Sequence, residues 1–351
     1  MGFRAGALAL VFLSGLSAAA IAQSKLPPVP APMGVPAAGP AAKKGAYQPQ
    51  PIIPGGIVMP LFPPGSPFLH NDRIGEAENY TMDPDVPGRI QRIVNIHNPS
   101  MEVHLVPQSA NTGAAIILIP GGGHRTLVVA LEGADPVPYF FNYGVNTIIL
   151  RSRLRTDGYD PKTDEVYDLQ QAIRLVRAHA AEWRIDPNKI GVMGFSAGAE
   201  LAMAAAIEYP QFDAKNNAPT DPLAGISSRP DFVGAIYPGP SLFTKGGTPP
   251  IPKDAPPSFI TCAGWGDKVH AVWATEYFTA MLNAGIPNVE MHIYARGHHG
   301  MGLSWRDGTA MGTWPVRFTD WFHDLGFLDK PGVQTQAAKD VADFVAAPAK
   351  P

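Results

Sequence analysis

Eight short apolar runs, rich in β-branched residues, recur between residues 90 and 294. Runs of this length, bounded by Gly, Pro, Asn and Asp, predict β-strands. The middle runs are continuous rather than alternating, which is typical of strands buried on both faces of a parallel sheet. The predicted strands are Ile90–Ile96, Val103–Val106, Ala114–Ile119, Val145–Leu150, Lys189–Met193, Phe232–Tyr237, Phe259–Ala263 and Val289–Tyr294.

Between these strands the apolar residues follow helical spacing. The clearest stripe begins near Asp164 and extends to Trp183, with apolar side chains every three or four positions. Strands that alternate with helices predict an α/β fold, here a mostly parallel eight-stranded sheet with helices on both faces. Ligands of such sheets bind beyond the carboxyl ends of the strands. The other predicted helices are 197–209, stopped by Pro210, 269–283 and 315–325.

The first 22 residues have the pattern of a cleavable secretory signal. Arg4 precedes an apolar run from Ala5 to Ala20, and small residues continue to Ala22. This order predicts cleavage near Ala22 and a secreted or periplasmic protein. A membrane anchor is the alternative, but the run is shorter than the roughly 20 strongly apolar residues that cross a bilayer. No later run is longer, so we expect no stable membrane insertion.

Two terminal segments have little core-forming pattern. Residues 23–67 are dominated by Pro, Ala and Gly, so they bury too little apolar surface to offset the entropy of ordering. They are predicted to form an extended linker or an N-terminal arm lying on the domain. Residues 329–351 form a short C-terminal tail with one frayed helix at most. Residues 68–328 remain as a single α/β domain of ordinary size.

Composition narrows the function classes. The chain has 27 Lys and Arg against 30 Asp and Glu, a net charge of −3, so no nucleic-acid partner is indicated. The balance suits a small substrate with little charge. Cys262 is the only cysteine, which excludes an internal disulfide, and its apolar surroundings predict a buried strand residue rather than a nucleophile.

The strongest motif follows the fifth predicted strand. Residues 189–198 read K-I-G-V-M-G-F-S-A-G, a strand, a G-x-S-x-G turn and the start of a helix. A nucleophile on such a sharp turn needs small neighbours, which Gly194 and Gly198 supply. The helix N-terminus favours negative charge that develops nearby. This context predicts that Ser196 is a nucleophile rather than a structural serine.

A glycine run after the third predicted strand supplies possible oxyanion donors. Gly121, Gly122 and Gly123 follow the strand directly and lack the Cβ atoms that would obstruct a substrate. Their spacing fits neither a dinucleotide fingerprint nor a Walker loop. We therefore predict an oxyanion hole formed by the backbone N–H groups of Gly122, Gly123 and Ala197.

The base and its orienting acid are expected after the serine, in the order acid and then His. Asp267 follows the seventh predicted strand and is the candidate acid, although it also suits a plain helix N-cap. A loop after the last strand carries His298 and His299. One of them is the expected base, and His298 is the one expected to be only a surface residue.

These motifs together resemble the esterase and lipase branch of the α/β-hydrolases. The resemblance rests on P-G-G-G-H at 120–124, the run 185–198, the G-x-G-D-x-V loop at 264–269 and H-G-M-G at 299–302. It covers roughly residues 90–325. It is closest to bacterial carbohydrate esterases such as acetyl xylan esterases and feruloyl-esterase-like proteins. Pro120 stands where the lipase-like branch often has His.

The resemblance implies a site and an activity. It selects His299 as the base, keeps Ser196 as the nucleophile and Asp267 as the acid, and gives the second and third glycines to the oxyanion hole. The implied reaction is carboxylic-ester hydrolysis through an acyl-enzyme, with short acyl groups such as acetyl on a carbohydrate or other small molecule. Such a reaction needs no metal or cofactor.

The substrate pocket is less clearly encoded. His124 and Trp265 are candidate wall residues because they adjoin the glycine run and the Asp267 loop. Glu200, one helical turn after Ser196, is expected to be a hydrogen-bonded structural carboxylate. An anion-binding role for Arg151 and its neighbouring arginines competes with pairing to local carboxylates, which is the commoner arrangement.

Two other function classes stay open. A prolyl-oligopeptidase-like peptidase shares the order of catalytic residues but normally carries a preceding propeller of several hundred residues. A catalytically silent binding protein on the same fold is the second alternative, and it is disfavoured by the presence of all the expected partner residues. The sequence does not indicate the oligomeric state.

Overall fold

The computed structural model describes residues 45–303 and 308–348. The expected signal segment, residues 1–22, lies outside this range, as does most of the N-terminal half of the Pro-rich segment. Within the described residues the chain forms ten strands: β1 Ile57–Pro60, β2 Asn79–Met82, β3 Ile90–Val94, β4 Ser100–His104, β5 Ala115–Ile119, β6 Asn146–Arg151, β7 Ile190–Phe195, β8 Val233–Ile236, β9 Ser258–Trp265 and β10 Glu290–Arg296.

Eight strands form one mostly parallel sheet in the order β1-β4-β6-β5-β7-β8-β9-β10. The six strands from β5 to β10 all run parallel to their neighbours among these strands. Strand β4 is antiparallel to both β1 and β6. Every residue of β5, β6 and β7 is buried, as their continuous apolar sequences predict. The sequence prediction of a mostly parallel eight-stranded sheet is confirmed.

Helices connect and cover these strands. Their bounds are α1 Pro136–Phe141, α2 Val166–Ala178, α3 Ala180–Trp183, α4 Ala197–Lys215, α5 Lys268–Asn283, α6 Trp314–Asp324 and α7 Gln336–Ala346. Shorter π and 3-10 turns lie at 130–134, 155–157, 161–165, 244–246 and 310–313. None of the helices in the described part of the chain is both long and apolar enough to span a membrane.

The membership of the sheet differs from the prediction in one strand. The run at 90–96 forms β3, which pairs with β2 in a separate two-stranded sheet. The eighth strand of the main sheet is instead β1, which the Pro-rich composition concealed. Pro60 is tolerated there because β1 is an edge strand, where a missing N–H need not interrupt a ladder.

The helix after Ser196 is also longer than predicted. It passes through Pro210, which is exposed, and ends at Lys215. A proline inside a helix costs about 3 kcal/mol, so tertiary contacts of the last turn must outweigh that cost. Phe212 packs its ring edge-on against Tyr167 at 5.2 Å, and the carboxylate of Asp213 accepts a hydrogen bond from the backbone N–H of Ser228 at 2.9 Å.

The segment expected as a linker or arm is integrated into the domain over its described part. Residues 45–67 bury Ile52, Leu61 and Phe62 in the hydrophobic core and contribute β1. A free linker is therefore wrong for residues 45–67, because they bury apolar side chains and pair with β4, as an arm lying on the domain would. At the other end, the tail forms α7, which buries Ala337 and Val341.

Candidate active site

Ser196 lies on a sharp turn between β7 and α4. Its φ of 53° and ψ of −118° are sparsely populated for a residue with a side chain, so the backbone is strained and must be held by its surroundings. The Ser196 N–H donates to the carbonyl of Ile236 at 3.0 Å, and its own carbonyl accepts from Gly239 at 3.2 Å. These contacts fix the serine at the carboxyl end of β7.

Two glycines make this turn possible. A Cβ on Gly194 would lie 2.2 Å from the carbonyl oxygen of Gly198, and a Cβ on Gly198 would lie 2.1 Å from that of Ile119. Both separations are far below a van der Waals contact, and both neighbours are backbone atoms that cannot move aside. The close passage of strand and helix anticipated from the G-x-S-x-G motif is therefore present.

Ser196, His299 and Asp267 form a continuous hydrogen-bonded chain. The Oγ of Ser196 lies 2.7 Å from Nε2 of His299, and Nδ1 of His299 lies 3.0 Å from Oδ2 of Asp267. A carboxylate only accepts, so Nδ1 carries the proton and Nε2 is free to accept from the serine hydroxyl. The loops after β7, β9 and β10 bring the three side chains together.

Asp267 is buried and binds two imidazoles. It is 5% exposed, and its side chain makes no capping hydrogen bond to α5, so the alternative of a plain N-cap does not describe it. Its oxygens accept from Nδ1 of His299 and from Nδ1 of His270. Burial alone would raise the pKa of Asp267, but the hydrogen bonds from His270 and His299 outweigh it and lower the pKa below its ordinary value.

The glycine run passes directly beside the nucleophile. A Cβ on Gly121 would lie 2.9 Å from the Cβ of Ser196, and one on Gly122 would lie 2.0 Å from the carbonyl oxygen of Thr126. Gly122 has a φ of +136°, which other residues rarely adopt. Among the described residues, no protein acceptor binds the backbone N–H groups of Gly122, Gly123 or Ala197. These three donors are therefore available to a ligand.

Glu132, which the sequence analysis missed, supports this loop from below. It is 2% exposed, and Oε2 accepts the N–H of Gly121 at 2.7 Å while Oε1 accepts the hydroxyl of Tyr237 at 2.8 Å. The Tyr237 oxygen in turn accepts the N–H of Gly302 at 3.0 Å. Burial raises the pKa of Glu132, and its two hydrogen bonds only partly oppose that shift. One carboxyl group thus connects the glycine run to the loop that carries His299.

His270 was also missed. It lies in the first turn of α5, and its ring stacks on the ring of His299 with centroids 3.8 Å apart and planes 23° apart. The ring of Trp273 lies perpendicular to it, with the two ring centroids 5.1 Å apart. The sequence gives no signal for this residue, since a lone His on a helix is usually a surface or core residue, and only the fold brings it to Asp267.

His124, predicted as a pocket wall, lies beside the glycine run between two carboxylates. Nδ1 is 2.8 Å from Glu165, and Nε2 is 3.3 Å from Glu200. Burial disfavours the charge on His124, but the hydrogen bonds to Glu165 and Glu200 outweigh it and raise the pKa to about 9. Glu200 is thus a hydrogen-bonded carboxylate next to the site, as anticipated.

The predicted wall residue Trp265 and the predicted surface residue His298 are both exposed. Trp265 is 79% exposed at the end of β9 and lines none of the cavities beside Ser196 in the described part of the chain. A wall role for Trp265 therefore finds no support in the cavities beside Ser196. His298 is exposed, with Nδ1 3.0 Å from the carbonyl oxygen of His299.

A cavity of about 410 Å³ begins one helical turn beyond Ser196. Its wall combines an aromatic ring, carboxylates and small apolar side chains. Its lining includes His124, Glu200, Leu201, Pro240 and Trp273. A larger groove of about 830 Å³ lies between α5 and residues 243–251. Its described lining includes none of Ser196, His299 and Asp267.

Arg151 and Arg153 do not face this cavity. Arg151 is fully buried and pairs with Glu102 at 3.0 Å, and with Glu78 at 3.3 Å. Arg153 is buried and pairs with Asp168 at 2.8 Å. Pairing with carboxylates, rather than capture of an anionic substrate, is their role in this fold.

Comparisons with known proteins show which sequences and structures this chain resembles. A family model described as BD-FAE matches residues 101–226. An acetylxylan esterase of Xylanibacter ruminicola is 28% identical over 264 residues, which cover 71% of this chain and 50% of that protein. The chain spans half or less of the length of the curated relatives that it matches.

Solved structures share the architecture over most of the chain. The acetyl ester-xyloside bifunctional hydrolase of Caldicellulosiruptor lactoaceticus superposes with a TM-score of 0.60 and 26% identity, covering 78% of this chain and 97% of that one. MGS-M1, an α/β hydrolase from a deep-sea metagenome library, gives a TM-score of 0.50 and 21% identity, covering 72% and 99%.

The chain has the α/β-hydrolase fold. The fold class expected from the sequence is thereby confirmed. The resemblance to carbohydrate esterases of this fold is confirmed as well, by the BD-FAE match and the acetylxylan esterase relative. The roles of individual side chains rest on the geometry described above.

Proposed function

We propose that this α/β-hydrolase is a serine carboxylic-ester hydrolase that works through an acyl-enzyme. One observation carries the proposal: the hydrogen-bonded chain from the Oγ of Ser196 through His299 to Asp267, beside unoccupied backbone donors. The same hydrogen-bonded arrangement of Ser, His and Asp performs acyl transfer on unrelated folds. Similarity to esterases supports the class of reaction.

Acylation follows from the tautomer that Asp267 imposes. Nε2 of His299 takes the proton of the Ser196 hydroxyl as its oxygen attacks the ester carbonyl. The carbonyl oxygen becomes negatively charged, and the N–H groups of Gly122, Gly123 and Ala197 stabilise it. The imidazolium then returns the proton to the departing alcohol oxygen, which leaves the acyl group on the serine.

Deacylation repeats these steps with water. His299 removes a proton from a water molecule that attacks the acyl carbonyl, and the tetrahedral intermediate again uses the three backbone donors. Collapse of this intermediate releases the acid, and the proton returns to the Oγ of Ser196. Throughout, the buried Asp267 carboxylate stabilises the charge that forms on the imidazole.

We further propose that the substrates carry short acyl groups, such as acetyl, on a carbohydrate. A cavity of about 410 Å³ lies within the range of volumes of small-molecule pockets. Its Trp273 face and its Glu200 and His124 polar groups resemble the usual combination of an apolar surface with a few orienting hydrogen-bonding groups. The names of the acetylxylan esterase and the acetyl ester-xyloside hydrolase support the same substrate class.

The test uses p-nitrophenyl acetate, longer p-nitrophenyl esters, acetylated xylan and peptide anilides. Ser196→Ala is expected to lower kcat on the acetyl esters by roughly 10³–10⁶-fold, and Asp267→Asn by roughly 10³–10⁴-fold. Ser109→Ala, in an exposed loop, is the matched control. Wild-type hydrolysis by the Ser196→Ala variant would overturn the proposal.

The same panel separates the two alternatives. Turnover of peptide anilides alone would favour a prolyl-oligopeptidase-like peptidase. No turnover of any substrate, with retained binding of xylan fragments, would favour a binding protein on this fold. No observation in the structure favours either of these over ester hydrolysis.

We also propose that residues 1–22 direct the chain to the secretory pathway, so that the esterase acts outside the cytoplasm. The pattern of Arg4, the apolar run and the small residues before Ala22 supports this localisation. Expression of the full chain in a bacterial host, followed by mass spectrometry of the exported protein, tests it. An N-terminus near Gln23 is expected, and an intact Met1 in the cytoplasm would contradict it.

A further inference from the structure

A second cluster of chemistry-bearing side chains overlaps the proposed active site. Asp267, His270 and His299 each offer a metal-ligating atom, and these atoms lie within 4.8 Å of one another. The mechanism above uses Asp267 and His299 but gives no role to His270. A well-ordered imidazole that the reaction does not need is therefore held beside the base.

The position of His270 is fixed by its contacts. Its ring is stacked on His299 with centroids 3.8 Å apart, its Nδ1 donates to the second oxygen of Asp267, and the ring of Trp273 packs perpendicular to it. The side chains of His270 and His299 are 18% and 33% exposed, whereas Asp267 is 4% exposed. Solvent and small ions can thus reach both imidazoles, while the carboxylate closes the inner side.

We propose that Asp267, His270 and His299 form an inhibitory site for a divalent transition-metal ion of the Zn²⁺ type. Two imidazoles and one carboxylate are a common ligand set for this ion, and they leave a fourth position open to solvent. The inference rests on the proposed esterase function only for its effect on activity, because metal binding itself needs just the three side chains.

The inhibition follows from the tautomer of His299. In the metal-free enzyme Nδ1 carries the proton and donates to Asp267, so the lone pair of Nε2 accepts from Ser196. A metal ion that binds Nδ1 of His270 and of His299 takes the lone pair of each atom, and the proton that each Nδ1 carried moves through solvent to Nε2 of the same ring. No atom changes its oxidation state, and the imidazole rings stay neutral. Nε2 of His299 then has no lone pair to accept the serine proton.

The first experiment measures hydrolysis of p-nitrophenyl acetate by the full chain, stripped of metal and then titrated with Zn²⁺. We expect kcat to fall to a few per cent of its starting value and to recover when EDTA is added. His270→Gln should raise the half-inhibiting Zn²⁺ concentration by about 10–100-fold, measured against the metal-free rate of that variant. His298→Gln alters the adjacent exposed imidazole and should leave the half-inhibiting concentration at the wild-type value.

The second experiment does not depend on activity. Equilibrium dialysis of Ser196→Ala, which retains all three ligands, should find one Zn²⁺ per chain at the concentrations that inhibit the wild type. Adding His270→Gln to that variant should raise the Zn²⁺ concentration needed for half occupancy by the same factor of about 10–100. If no ester is hydrolysed but dialysis gives this result, the proposed function fails and the metal site stands. Absence of binding, or equal behaviour of His270→Gln and His298→Gln, would overturn the inference.

Discussion

Glu132 gives the sharpest test of how the fold holds the oxyanion donors. Its carboxyl group accepts the N–H of Gly121 and the hydroxyl of Tyr237, and it is almost completely buried. Glu132→Ala leaves both of these donors without an acceptor in a site that water does not reach. Each buried group left unsatisfied costs about 1–3 kcal/mol. We therefore expect a loss of about 2–6 kcal/mol in the free energy of unfolding.

Glu132→Gln is the matched variant. The amide oxygen of Gln can still accept from Gly121, but its NH₂ group cannot accept from Tyr237, so only one donor loses its acceptor. The expected loss is about 1–3 kcal/mol. Because the glycine run borders Ser196, we also expect Glu132→Ala to lower kcat by roughly 100-fold, since displacement of about 1 Å at a reacting centre has that effect.

The assay is urea unfolding at constant m-value, in parallel with kcat on p-nitrophenyl acetate. The pH dependence adds a second check, because burial raises the pKa of Glu132 above its ordinary value of 4.5. A raised folded-state pKa stabilises the wild type fully below pH 4.5, and this contribution disappears as the pH rises through the folded value. The stability of wild type relative to Glu132→Gln should decline accordingly. Equal stability of Glu132→Ala and wild type would refute the reasoning.

Two further predictions concern packing and charge. Gly198→Ala should prevent the chain from accumulating as a folded protein, because its Cβ would lie 2.1 Å from the carbonyl oxygen of Ile119. Gly225→Ala is the control, since there is open space around Gly225, and it should lower the free energy of unfolding by only about 1–2 kcal/mol. Similar melting temperatures for the two variants in thermal unfolding would contradict this prediction. His124 has a pKa raised to about 9 from 6.5, so its stabilising contribution is complete below pH 6.5 and is lost as the pH rises towards 9. The difference in unfolding free energy between wild type and His124→Gln should shrink over that interval, and a difference independent of pH would disprove the assigned charge.

The features that sequence predicted are those encoded locally. Ser196 stands between a continuous apolar strand and a helix of small residues, so its turn could be recognised without any distant contact. Asp267 and His299 follow strands, and a parallel sheet gathers the residues that follow its strands at one edge. The order of elements therefore predicted Asp267 and the pair His298 and His299, and the resemblance to the esterase branch selected His299 from that pair.

The features that sequence missed depend on contacts across the fold. Glu132 and His270 are single polar residues in unremarkable surroundings, and only tertiary packing brings them to Gly121 and Asp267. β1 was missed for another reason: four residues among prolines have no periodicity to detect, and pairing with β4 decides their conformation. Trp265 was proposed only because it is close in sequence to Asp267, and such proximity does not specify how exposed a side chain will be.

The contact between the N-terminal arm and the sheet limits how the protein can be shortened. The N–H groups of Ile52 and Ile53 bind the buried carboxylate of Glu102, and Arg151 donates to the carbonyl of Gln50. A version trimmed at residue 68 would strip this carboxylate and guanidinium of backbone partners and leave β4 as an uncovered edge open to pairing with another chain. Expression of the isolated hydrolase domain should therefore retain Gln50, Ile52 and Ile53, whose backbone groups make these contacts.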